Sequence, residues 1–194
     1  MKYSIRYVLK RILDIVKNAL FYSHRFGHFG LKSCMRLPLQ LEGCENIFIG
    51  NVSIGYKVWL AAMPLTDASE CKLIIKDGCR IGNFNHIYAT GELVIEANVL
   101  TADKVYISDN LHGYDDISLP IYQQPIKQKG HVTIGEGSWL GENVCVVGAS
   151  VGKHCVIGAN SVVVKDIPDY SVAVGIPAKV VKQYNFEQKK WLKC

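Results

Sequence analysis

One histidine stands among three acids in 107-ISDNLHGYDD-116, where His112 has Asp109 before it and Asp115 and Asp116 after it. An imidazole ionises near neutral pH, so it can accept a proton from a reacting group, and a nearby carboxylate can orient it. The same residue is equally at home as a solvated side chain on a loop. Metal chemistry finds little support. His86, His112, His131 and His154 are widely spaced, and His24 with His28 supply only two ligands on one helix face. Cys34, Cys44, Cys71, Cys79, Cys145, Cys155 and Cys194 are scattered and odd in number, with no CxxC pair. They read as reduced thiols filling small sites, against a disulfide frame or a zinc knuckle.

The elements that must position His112 are written in a repeat that breaks off around it. Ile75, Ile81 and Ile87 stand six apart, as do Ile95, Thr101 and Ile107, then Ile134, Leu140 and Val146, then Val151, Ile157 and Val163. A small, polar or branched residue follows at the fifth place: Cys79, Asn85, Val99, Val105, Ser138, Val144, Cys155, Ser161. Ile54, Val58 and Leu60 extend the pattern upstream. Such a period is that of a hexapeptide-repeat parallel β-helix, in which each unit is a short strand and a turn and the first residue points inward. One coil cannot bury its own apolar side, so coils must stack. Unrelated strands of a sandwich would not keep six-residue spacing through four blocks.

The flanks depart from the period. Residues 1–26 place Ile5, Val8, Leu9, Ile12, Ile15, Val16, Ala19 and Leu20 at helical spacing with basic residues opposite, within an N-terminal helical segment taken as 1–30. That helix packs on the first coils or a neighbouring subunit, or makes weak contact with a membrane surface. The β-helix domain is expected over 45–184, with an inserted loop at 113–130 and a tail at 185–194. A loop of that length without repeat structure is more often functional than filler.

With 194 residues, 49% hydrophobic and 20% charged, the chain reads as one folded domain. Its net charge of +5 suits anionic ligands or a membrane surface but not nucleic acid, for which no motif is present. No apolar run is long enough to span a bilayer, and basic residues interrupt the N-terminal apolar run where a signal peptide would be continuous. A cytoplasmic protein is expected.

At 134-IGEGSWLGENV-144, 157-IGANSVVVKDIP-168 and 174-VGIPAKVV-181 the chain resembles the hexapeptide-repeat acyltransferases. More narrowly, it resembles the acetyl-CoA-dependent O-acetyltransferases of galactosides, maltose, capsule and lipopolysaccharide sugars, and the related xenobiotic acetyltransferases. The resemblance covers about residues 45–184. It implies an all-β fold, a left-handed parallel β-helix assembled as a homotrimer, with each active site between two subunits. Acetyl-CoA would be the donor and a sugar or glycan hydroxyl the acceptor, with no metal. The break in the repeat is then the loop bounding that cleft.

His112 falls where the family places its catalytic base. Many polysaccharide members carry His-x-His there, and this chain has Asn110 in the first place. The resemblance further implies an oxyanion donor at the backbone N–H of Glu142, after Trp139-Leu140-Gly141. Cofactor contacts carry over to Trp139, Gly141, Ala159, Val164 and Lys165, then to the basic tail Lys179 and Lys182. Val164 replaces a frequent Thr, and the two lysines replace frequent arginines. They can pair with phosphates as point charges without the bidentate fork, so weaker CoA binding is implied. Asn83 and Asn85 in 81-IGNFNHI-87 resemble the Asn-x-Asn stretch that touches sugar hydroxyls, although Asn85 occupies an inward place of the repeat. A γ-type carbonic anhydrase would need a close histidine pair, and a serine acetyltransferase a large helical N-terminal domain. A non-catalytic binding β-helix would have no use for His112 or the CoA-type tail.

Overall fold

A computed structural model describes residues 5–194. The expected helix is observed as α1, Ile5–Tyr22, and the first four residues of its expected range lie outside those described. From His28 onward the chain visits three sheets in turn, and neighbouring strands within each are parallel until the C-terminus. The first face takes His28–Phe29, Ile47–Ile49, Lys72–Ile75, Glu92–Ile95 and Val132–Ile134. The second takes Cys34–Arg36, Ser53–Tyr56, Arg80–Ile81, Leu100–Thr101, Trp139–Leu140, Val156–Ile157 and Ser171–Val174. The third takes Gln40–Glu42, Trp59–Ala62, His86–Ala89, Tyr106–Ser108, Cys145–Val147 and Val162–Val163. Each circuit adds one strand per face, which is the winding of a parallel β-helix.

The six-residue period explains the core. Ile75 pairs with Ile95 and Ile95 with Ile134 on the first face, Thr101 with Leu140 and Leu140 with Ile157 on the second, and Ile87 with Ile107 and Ile107 with Val146 on the third. All of these side chains are buried. The stack therefore repeats like on like, and burying each aliphatic stabilises the fold by about 1.5–3 kcal/mol. Between the second and third faces the chain turns through residues with positive φ, at Lys57, Phe84, Lys104, Asn143 and Asn160, with φ of 52 to 59°. Asn accepts this conformation easily, whereas Phe84 and the lysines hold it at some cost that the stacked coils must offset.

Three departures from the expected boundaries have physical reasons. The coil starts at His28, upstream of residue 45. Phe29, Met35, Leu41 and Ile47 keep the six-residue step, but an aromatic and a thioether stand where branched aliphatics stand later. The tail pairs instead of trailing: Lys190–Lys193 lies antiparallel to Lys179–Asn185, which itself lies antiparallel to Ser171–Val174. The excursion is also partly regular, since Asn110–His112 and Ile126–Gln128 form a two-stranded antiparallel hairpin.

Candidate active site

After Ser108 the chain does not turn into the next coil but runs outward as the hairpin, with His112 opposite Ile126. Asp109 roots it. Its fully buried carboxyl group accepts from Thr90 N at 2.9 Å, Gly91 N at 2.7 Å and Asn110 Nδ2 at 2.9 Å. On the returning strand Gln128 Oε1 accepts from the hydroxyls of Thr90 (2.8 Å) and Thr66 (3.0 Å), and Lys129 N donates to Asp109 O at 2.8 Å. Both strands are thus fastened to the corner at Thr90–Gly91. A buried polar network of this kind is rigid because leaving any member unpaired is costly.

The clamp holds His112 out in solvent, with no partner for its imidazole among the described residues. None of the three neighbouring acids touches it. Asp109 serves the root, Asp115 pairs with Lys127, and Asp116 accepts from Ser118 N at 2.8 Å and Ser118 Oγ at 2.6 Å. These last bonds hold the Asp116 carboxyl below its ordinary pKa. A free imidazole on a fixed support can receive a substrate proton without first breaking a bond.

The two asparagines are placed differently from the expectation. Asn85 is buried, its Nδ2 donating to Asn83 O (3.1 Å) and Ala102 O (2.8 Å) while its Oδ1 accepts from Thr101 Oγ1 at 2.8 Å. It satisfies the stack from inside and offers nothing to a sugar. Asn83 is half-buried but engaged, with its Oδ1 taking Tyr56 N at 2.8 Å and its Nδ2 donating to Asp103 at 2.9 and 3.1 Å. An inward repeat position and a turn ladder claim these amides, which the Asn-x-Asn pattern alone does not reveal.

The residues expected at the cofactor lie on the later coils. Trp139 stands on the outer side of the second face, half exposed between Leu100 and Val156. Gly141 is required by close approach, since a Cβ there would meet Ala159 N at 2.8 Å and Ile157 O at 3.0 Å. In earlier coils the amide after the equivalent glycine finds a side-chain oxygen on the next coil: Tyr56 N has Asn83 Oδ1, and Asn83 N has Asp103 Oδ1 at 2.7 Å. After Gly141 the amide belongs to Glu142 and the next coil supplies Ala159, whose side chain has no oxygen to offer. Ala159, Val164 and Lys165 are exposed, as are Lys179 and Lys182 on the first antiparallel strand, opposite Val174 and Val172.

One chain does not bring these groups together. Glu142 precedes the strand Cys145–Val147 of the third face, and the hairpin leaves from the far end of the strand beside it, Tyr106–Ser108. The turn at Asn143 and the strand Cys145–Val147 lie between the two corners.

A further cluster lies on the outer side of the third face. His86 stacks on Trp59 (4.1 Å between ring centres, 8° between planes), meets Tyr106 edge-on at 5.1 Å, and has Tyr88 at 6.1 Å. Trp59 Nε1 donates to Glu42 at 3.1 Å, and His86 Nε2 is buried without a partner. Burial holds the His86 pKa below its ordinary value, with Glu42 opposing. The outward alternation of His86, Tyr88 and Tyr106 in neighbouring strands was the available sequence signal.

The chain matches known proteins along its whole length. The hexapeptide repeat of succinyl-transferase family matches residues 131–165. The Escherichia coli protein WbbJ, named as a lipopolysaccharide biosynthesis O-acetyl transferase, is 30% identical over 203 aligned positions, covering 100% of this chain and 96% of that protein. Galactoside O-acetyltransferase of E. coli is 33% identical over 105 residues, 51% of this chain and 48% of its own. Among solved structures, a point mutant of the N-acyltransferase AntD from Bacillus cereus, in complex with dTDP and coenzyme A, superposes with a TM-score of 0.68 at 15% identity, over 96% of this chain and 91% of that one. Repeat, coil and full-length relative agree, so the chain belongs to the hexapeptide-repeat acyltransferases, as an enzyme with acetyl-CoA as its acyl donor.

Proposed function

We propose that this enzyme moves an acetyl group from acetyl-CoA to a hydroxyl of a sugar or glycan, working in the cytoplasm as a homotrimer of left-handed β-helices. The observation that carries the reading is the hairpin, a rigidly rooted support that presents an unpaired His112 imidazole beside the coil. The names of two relatives, one for lipopolysaccharide and one for galactoside acetylation, support a sugar acceptor. The separation of His112 from Glu142 within one chain supports a site completed by a second chain.

In this site a ring nitrogen of His112 takes the acceptor hydroxyl proton as the oxygen attacks the thioester carbonyl. The carbonyl oxygen becomes an oxyanion, and the Glu142 N–H donates to it, a contact typically worth about 3 kcal/mol. Collapse expels the CoA thiolate, which recovers the proton from the imidazolium. Trp139 and Gly141 shape the thioester end of the channel, while Ala159, Val164 and Lys165 flank the pantetheine. Lys179 and Lys182 attract the phosphates.

The test is His112→Ala, assayed with acetyl-CoA against a panel of sugars and glycolipids by release of free CoA. We expect kcat to fall roughly 10²–10⁴-fold with acetyl-CoA affinity nearly unchanged. Wild-type turnover in the variant would place the base elsewhere.

A further inference from the structure

The helix α1 leans on the coil by an edge that its sequence pattern does not favour. Asn18, on its polar side, is buried and its Oδ1 accepts from Met35 N at 2.5 Å. Tyr22, one turn on, packs against Phe26 at 5.8 Å and Phe29 at 5.6 Å. Docking by this edge leaves the aliphatic stripe uncovered: Leu9, Ile12, Leu13, Val16 and Leu20, spaced as one helix face, are each at least 50% exposed. Phe21 and Leu37, also open to solvent, carry apolar surface across to the first coil. Between helix and coil lies a cleft of about 650 Å³, which these two share with Lys17 and Arg36.

Charge decides what covers the stripe. The helix sequence holds Arg6, Lys10, Arg11 and Lys17 against the single acid Asp14. Lys17 falls four after Leu13 and one after Val16, so it borders the stripe in the helical period. A basic border beside an aliphatic stripe is the pattern of a helix lying in the headgroup region, stems in the acyl boundary and charges at the phosphates. No helix among the described residues is long and apolar enough to cross a membrane. Apposing this stripe with a second copy would instead bring two cationic helices together.

We infer that α1 is an interfacial anchor that seats the first coils on an anionic lipid bilayer. This goes beyond the proposed reaction and does not depend on it. The experiment is co-sedimentation of the full chain with vesicles of phosphatidylcholine alone or of phosphatidylcholine with phosphatidylglycerol. Binding should require phosphatidylglycerol and weaken as salt is raised. The double variant Leu13→Gln/Leu20→Gln should lower binding more than about tenfold, and Lys17→Gln about fivefold. Neither should change the melting temperature or the particle mass by light scattering, and His112→Ala should bind vesicles as wild type does. Absence of binding to phosphatidylglycerol vesicles at low salt would overturn the anchor, as would undiminished binding by the double variant. A smaller particle mass in that variant would also overturn it, by assigning the stripe to a subunit contact.

Discussion

Asp109 shows how much a single side chain can organise when its oxygens are the only acceptors for buried amides. Replacing it with Ala strands the N–H groups of Thr90 and Gly91, at about 1–3 kcal/mol for each unsatisfied donor. Asp109→Ala should therefore melt several degrees lower and lose turnover through a displaced His112, whereas Asp109→Asn, which keeps one acceptor oxygen, should recover much of both. Thermal melts read beside kcat decide it, and an unchanged melting temperature would contradict the clamp. Sequence position left Asp109, Asp115 and Asp116 alike as possible partners for the imidazole, because nearness in the chain was all it could use. The carboxyl group turns inward instead, since the coil below presents two free amides within reach. Asn83 and Asn85 teach the same lesson: an amide in an Asn-x-Asn string looks available until the turn ladder around it is visible.

Among the elements, the short strands of the six-residue repeat were the most legible, because the first-place aliphatics from Ile75 to Val163 had to point inward. The first coils were less so, since Phe29 and Met35 fill the same places with shapes the pattern does not anticipate. The hairpin and the C-terminal pairing were illegible because their registers depend on contacts far away in sequence. On the third face, the burial that lowers the His86 pKa gives the element a pH dependence. The folded state binds this proton less readily than the unfolded chain, whose histidine titrates near about 6.5. The stability contribution is thus complete above that value and is lost as pH falls through the lower folded pKa. His86→Phe should flatten the acid limb of a melting-temperature profile, and an unchanged limb would remove His86 as its source. On the strand Lys179–Asn185, replacing Lys179 and Lys182 together with Ala should weaken acetyl-CoA binding by roughly tenfold at low salt, and progressively less as salt rises. Calorimetry reads the effect, and unchanged affinity at low salt would remove both lysines from the site.

For the whole molecule, the proposed shared site would make assembly a condition of activity. Light scattering at micromolar concentration should give the mass of three chains, and a clean monomer would end the shared-site reading. Mixed assembly offers a sharper check: at limiting acetyl-CoA, His112→Ala chains combined with Lys179→Ala/Lys182→Ala chains should turn over faster than either variant alone, since some clefts would draw both intact halves. The antiparallel strands at the C-terminus bear on a different risk. A stack of parallel coils is a ladder whose last rung, left bare, is a template for another chain to continue, and nothing in the repeat itself limits its growth. The strand Lys179–Asn185 runs against the stack, and Lys190–Lys193 beyond it restores the parallel sense but carries Lys190 and Lys193, so a further molecule meets like charge there. Lys179–Asn185 and Lys190–Lys193 thus cover the edge of the stack, keeping an inherently extensible architecture from becoming a fibre.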